Sequence, residues 1–176
     1  FKTIGHENVS ILNGGFKGWA NGGNKVATGE NSITPASFKT KLNKKYFASF
    51  SEVQKAQKGK GQQCLIDARP AAFFTGDKKH AKARIPGRLA NARNLQEGNL
   101  IDDSFKMKSS SAIKSQFGGL DGVEQYKGYI SYCNTGHWAA TVWFGLSEIA
   151  QIPNVKMYDG GMTHWTSNPK RKVDLG

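Results

Sequence analysis

Cys133 opens the run Cys133-Asn134-Thr135-Gly136-His137-Trp138. Tyr129-Ile130-Ser131-Tyr132 precedes it and has the composition of a central strand. His137 to Ala150 follows it and reads as a long helix, apolar on nearly all sides. A thiol leaving the carboxyl end of a buried strand, then a short glycine-containing turn, then a helix, has backbone N–H groups gathered round one point. The positive end of the helix dipole lies behind them. Such a nest of donors stabilises an anion. Helix N-termini favour the thiolate over the thiol, whose ordinary pKa is about 8.5. The spacing therefore predicts a nucleophilic sulfur at Cys133, able to carry a persulfide anion with neither a metal nor an organic cofactor. An isolated cysteine in an apolar setting would instead be inert packing.

The remaining candidates are weighed around that thiol. Cys64 lies inside the apolar run Gln63-Cys64-Leu65-Ile66-Asp67 and reads as core. Two cysteines are too few for a Cys-rich zinc site or a disulfide framework, although one bond between them is allowed. Asn134 and Thr135 shape the loop through local side-chain hydrogen bonds. Gly136 supplies the turn. His137 is either a switchable cation beside the sulfur or a helix-start residue. Trp138 reads as a pocket wall. Arg69 either faces substrate or pairs with a carboxylate to hold the loop, and Asp67 reads as structural. His80 and His164 look exposed and take no role. Arg84, Arg88 and Arg93 form a basic rim or merely a solvated loop.

The elements that position these residues follow from pattern. Ser51 is the expected cap of a helix through Lys58, with Gly59 as its stop. Gln63–Asp67 is a buried strand. Pro70 to Phe74 starts a short helix, Gly76 to Asn94 is a long basic loop, and Ser110 to Phe117 is a second helix. Val155 to Tyr158 is the last strand. Strands alternating with helices predict an α/β fold with a mainly parallel central sheet and helices on both faces. Ligands in such sheets sit at the carboxyl ends of the strands, where Cys133 falls.

An internal repeat sets the domain organisation. Asn8-Val9-Ser10-Ile11-Leu12-Asn13-Gly14-Gly15-Phe16-Lys17-Gly18-Trp19 aligns without a gap to Asn154-Val155-Lys156-Met157-Tyr158-Asp159-Gly160-Gly161-Met162-Thr163-His164-Trp165, at an offset of 146 residues. Each copy reads as a short apolar strand, a Gly-Gly turn and a helical turn bearing a tryptophan. Only the second has a full domain in front of it. Residues 1–27 are therefore expected to be the tail of an upstream domain, 28–36 a linker, and 37–176 the catalytic unit.

Composition narrows the classes further. The chain has 176 residues, 21 glycines and a formal charge of +12. No run approaches the ~20 apolar residues of a membrane span. The charge fits plain solvation, steering of small anions, or nucleic-acid binding. Lys44-Lys45, Lys58 with Lys60, and Lys78-Lys79 have no aromatic residues interleaved at nucleic-acid-motif spacing, so nucleic acid is not an expected partner.

The loop at Cys133 resembles the active-site loop of the rhodanese family of sulfurtransferases. Three further motifs resemble that family in order: Asp67-Ala68-Arg69 after the first core strand, Arg84-Ile85-Pro86-Gly87 with Arg in place of the usual His, and Asp159-Gly160-Gly161 followed by Trp165. Asn13-Gly14-Gly15 with Trp19 resembles the same closing motif of a preceding domain. The resemblance implies a rhodanese-like fold, a tandem architecture with the catalytic cysteine in the C-terminal domain, and two-step covalent catalysis. Cys133 would take sulfur from a small anionic donor such as thiosulfate and pass it to a thiol or cyanide. Arg69, Asn134, Thr135, Gly136, His137 and Trp138 would bind substrate. An upstream rhodanese-like domain would be the partner. Exported bacterial members imply a periplasmic location, with the cytoplasm as the alternative.

The sequence departs from thiosulfate-specific members. Their second arginine, four positions beyond the Asp-x-Arg arginine, is Phe73 here, and the loop has no Lys or Arg. A thiol-based or polysulfide donor fits this better. A non-catalytic sulfur-relay or regulatory module is the second reading. A phosphatase would need an arginine at the position of Ala139, to clamp phosphate bidentately.

Overall fold

The structure is a computed structural model and describes residues 1–175. A parallel four-stranded sheet is built from β1 (Gln63–Asp67), β2 (Ala92–Asn94), β3 (Gly128–Tyr132) and β4 (Val155–Tyr158), in the order β2-β1-β3-β4. β1 pairs with β3 from Gln63↔Gly128 to Asp67↔Tyr132, and β3 with β4 from Tyr129↔Val155 to Tyr132↔Tyr158. Phe47 extends the pairing beyond β4, where Ala48 N–H donates to Met157 O at 2.8 Å. Every residue of β3 is buried, as a central parallel strand covered on both faces must be.

Alternation along the strands divides the core. Cys64 and Ile66 point to one side, with Leu100, Ile113, Ala139, Val142 and Leu146. Leu65, Ile130 and Tyr132 point to the other, with Val53, Leu89, Met162 and Trp165. Burying each large aliphatic side chain contributes ~1.5–3 kcal/mol.

The helices are α1 (Gly15–Asn21), α2 (Phe50–Gln57), α3 (Ala71–Thr75), α4 (Ser110–Gly118), α5 (His137–Phe144) and α6 (Gly161–Ser167). Ser49, not Ser51, caps α2. Its hydroxyl accepts from Glu52 N–H, and Glu52 accepts from Ser49 N–H, a reciprocal box that needs Glu three residues after the cap. The helix expected to run from His137 to Ala150 changes winding midway, and Gly145–Ile149 forms a π-helical turn. A Cβ at Gly145 would lie 3.0 Å from Leu100 and from Met107 side-chain atoms, so the bare backbone is what lets this turn pack. The expected loop from Gly76 to Asn94 ends in β2, paired to β1 from Leu65↔Ala92 to Asp67↔Asn94.

The two copies of the repeat differ. The second forms β4 and α6 as expected. In the first, α1 forms but residues 8–13 are not a strand. A strand needs a neighbour to take its hydrogen bonds, and β3 serves only the second copy. Burial follows: Leu12, Phe16 and Trp19 are 55%, 68% and 42% exposed, against 4%, 0% and 2% for Tyr158, Met162 and Trp165. Among the described residues no helix is long and apolar enough to cross a membrane.

Candidate active site

Cys133 follows the last residue of β3, and Gly136 caps α5 with φ of 95°. That left-handed value suits glycine and turns the chain so that Gly136 N–H donates to Cys133 Sγ at 3.1 Å. The thiol is 1% exposed, so this interaction is made away from bulk water, where dipoles act more strongly.

Two anchors set the loop. The first is the start of α6. Cys133 O accepts from Met162 N–H at 2.8 Å, and Asn134 O accepts from Thr163 N–H at 3.2 Å and Thr163 Oγ1 at 3.0 Å. Peptides here are trans, so tying these carbonyls to α6 turns the N–H groups of Asn134 and Thr135 the opposite way. Gly161 makes the contact feasible. A Cβ there would fall 2.5 Å from both carbonyl oxygens.

The second anchor is a buried ion pair. Arg69 Nη2 lies 2.6 Å from Asp67 Oδ2, and Arg69 Nε lies 2.9 Å from Asp67 Oδ1. Nη2 also donates to Gly87 O at 2.9 Å, and Nη1 faces Asn134 Oδ1 at 3.4 Å. Burial opposes the guanidinium charge, but its bonds to Asp67 outweigh that and hold it above its ordinary value. Asp67 and Arg69 thus join the end of β1 to the Gly87 turn and to the cysteine loop. Asn134 is itself buried, and its Nδ2 has no hydrogen-bond partner. Leaving a buried donor unsatisfied costs about 1–3 kcal/mol.

The other candidates fall on the outer side. Thr135 and His137 are exposed, with Thr135 Oγ1 3.3 Å from His137 Nδ1. Trp138 is half-buried and packs edge-on against Phe73 at 5.9 Å. Arg88 stacks on Phe74 at 4.5 Å, and Arg93 on β2 donates to Asp121 O at 2.5 Å, so both are engaged locally. Cys64 is a free, buried thiol like Cys133. Burial pushes it up to about 11. His164 Nδ1 lies 2.5 Å from Tyr158 OH.

Sequence reasoning did not reach Thr163 and Met162 as holders of the loop. Their only trace is the Asp159-Gly160-Gly161 motif just before them. Nor did it reach the contact from Arg69 to Asn134, which joins residues 65 positions apart.

A parallel α/β sheet with a thiol at a strand end, facing a loop amide and backed by a helix, defines a cysteine-loop domain suited to covalent group transfer. The chain belongs to the rhodanese-like domain family, whose model matches residues 49–168. It is 30% identical over 178 residues to the thiosulfate sulfurtransferase of Gallus gallus, covering 98% of this chain and 59% of that protein. It is 30% identical over 174 residues to the 3-mercaptopyruvate sulfurtransferase of Escherichia coli (strain K12), covering 98% and 60%. The sulfur carrier protein TtuD of Thermus thermophilus is 25% identical over 176 residues, covering 94% and 61%. The chain thus spans about three fifths of the length of the curated relatives it matches. In fold it is similar to the anaerobic ergothioneine biosynthesis enzyme from Chlorobium limicola, with a TM-score of 0.85 at 19% identity, over 99% of this chain and 43% of that one. The relatives' names support sulfur transfer as the class of chemistry.

Proposed function

We propose that this chain is the catalytic domain of a sulfurtransferase that moves sulfane sulfur through a persulfide on Cys133. The observation that carries the reading is the Gly136 N–H on Cys133 Sγ, in a loop whose carbonyls are tied away to α6. The Cys133 thiolate attacks the outer sulfur of the donor. With thiosulfate the S–S bond breaks, its electron pair leaves on sulfite, and the enzyme keeps a Cys–S–S⁻ group. An acceptor thiolate or cyanide then attacks the outer sulfur, and the pair returns to Cys133. This is ping-pong covalent catalysis.

The site favours polysulfide or thiol-derived donors over thiosulfate. Arg69 is spent on Asp67, and Phe73 stands where a second guanidinium would bind a dianion. Anion binding rests on loop amides and His137. Trp138 and Phe73 offer an apolar wall to an organic acceptor.

An upstream rhodanese-like domain is part of the proposal. It is supported by the exposed first copy of the repeat and by the greater length of the relatives.

The test is intact mass after incubation with thiosulfate or inorganic polysulfide. One added sulfur, removed by cyanide and absent in Cys133→Ser, is expected. Unchanged mass with both donors overturns the reading. A second reading, sulfur relay without turnover, is favoured by the deep burial of the thiol and by the carrier role in the name of the Thermus relative. Persulfide formed without catalytic turnover of cyanide or dithiothreitol would select it.

A further inference from the structure

We propose that Asp159 sets the charge of the sulfur donor. Its carboxylate, held against the cysteine loop, disfavours doubly charged donors such as thiosulfate. Singly charged ones, such as a thiosulfonate or the persulfide of a small thiol, are the preferred class. The inference deepens the persulfide reading above and rests on it.

Asp159 opens the closing motif Asp159-Gly160-Gly161 and follows β4 as Cys133 follows β3. Tyr132 and Tyr158 are paired in the sheet, so the two residues leave neighbouring strands at its carboxyl edge. Both side chains reach Gly136. Its N–H donates to Cys133 Sγ at 3.1 Å, and a Cβ on it would stand 2.6 Å from Asp159 Oδ1. Standard bond lengths then put Oδ1 no more than ~9 Å from Sγ. Asp159 is exposed and makes no ion pair among the described residues. Arg69, which faces Asn134 in the loop, is no counterweight. Its Nη2 lies 2.6 Å from Asp67 Oδ2, and those two charges cancel. Asp159 is thus an uncancelled carboxylate beside the sulfur.

Its effect scales with donor charge. The formal charge of +12 draws anions toward the molecule from a distance. At the loop, repulsion from one carboxylate acts twice as strongly on a dianion as on a monoanion. At ~9 Å, with an effective dielectric between those of the protein surface and of water, each unit of donor charge slows loading about 3-fold. The thiolate feels Asp159 identically whichever donor arrives, so that part divides out when two donors are compared.

Thiosulfate and the methanethiosulfonate anion make the comparison, since a methyl group replaces one charged oxygen and the reaction is the same. The Cys133 thiolate takes the outer sulfur, the S–S bond breaks, and its electron pair leaves on sulfite or on methanesulfinate. Single-turnover loading is followed by intact mass in wild type, Asp159→Asn, Asp159→Ala and Asp159→Glu, at ~0.01 M and at ~1 M ionic strength. In low salt both neutral variants are expected to gain about 3-fold more on thiosulfate than on methanethiosulfonate. Asp159→Glu keeps the wild-type donor ratio. The shift closes in high salt, where the screening length is ~3 Å. A residue that merely shaped the loop would change both donors by one factor. Neutral variants with the wild-type donor ratio at low salt overturn the inference. So does a shift that is undiminished at high salt or appears equally in Asp159→Glu. If wild type takes sulfur from neither donor, the persulfide reading fails and takes this inference with it. If wild type loads and the ratio does not move, this inference alone fails.

Discussion

The carbonyl oxygen of Cys133 occupies the space a side chain on Gly161 would need, 2.5 Å from where a Cβ would stand. The closing motif of the domain and its thiol are thereby one mechanical unit. Gly161 brings the first amides of α6 against the loop, and the loop answers by turning N–H groups away from α6. Gly161→Ala should push the loop off α6 and force alanine into φ of 53°. The strain alone costs ~1–2 kcal/mol. Sulfur loading of Cys133 should fall about 10²-fold as the donors lose alignment, while far-UV circular dichroism stays native. Full loading in a folded Gly161→Ala protein would show that α6 does not set the loop.

Cys133→Ser should abolish sulfur uptake and leave the fold intact, since the hydroxyl fits the same space. Cys64→Ser should keep most activity, because Cys64 is packed in the sheet and belongs to no loop. Intact mass and cyanide-dependent turnover check both. Activity surviving in Cys133→Ser would sink the assignment.

How much of this was legible from residue types depends on how local each cause is. β1, β3 and β4 are apolar runs bounded by turn residues, and the cysteine loop is a contiguous string, so both could be read. β2 could not. Ala92-Arg93-Asn94 has no strand-like pattern, and pairing with β1 alone makes it a strand. Residues 8–13 fail in the opposite sense: their pattern equals that of β4, yet they lack a neighbour. The ambiguity over Arg69 had the same origin. The sequence allowed Arg69 to face substrate or to pair with an unspecified carboxylate, and nothing near it in the chain pointed to Gly87 or Asn134.

The Asp67–Arg69 pair predicts an asymmetry in stability. Removing one partner leaves a buried charge without compensation, at about 3–5 kcal/mol, whereas replacing both by apolar groups costs far less. Arg69→Met should therefore lower the urea midpoint strongly, and Asp67→Leu with Arg69→Met should recover much of it. Neither should restore full sulfur loading, since Asn134 would have lost its orienting contact. A double variant with wild-type loading would remove Arg69 from the site.

Cys64 supplies a prediction in pH. Burial raises its thiol from the ordinary range of about 8–9 to about 11. In the unfolded chain the proton leaves near the lower value, while in the folded protein it stays until the higher one. Between those limits the folded state binds more protons than the unfolded state, so stability falls as pH rises. Below the lower limit both states hold the proton and Cys64 contributes no slope. Urea unfolding from neutral pH upward should accordingly show an alkaline decline beginning at about 8–9 and levelling toward 11. Cys64→Ala should lose that component while starting from a lower baseline, owing to the cavity it leaves. The same burial should keep Cys64 unreactive toward iodoacetamide across the interval, so labelling there measures unfolding and not local exposure. Alkylation of Cys64 in native protein at neutral pH, or an unchanged alkaline slope in Cys64→Ala, would show that this thiol does not carry the effect.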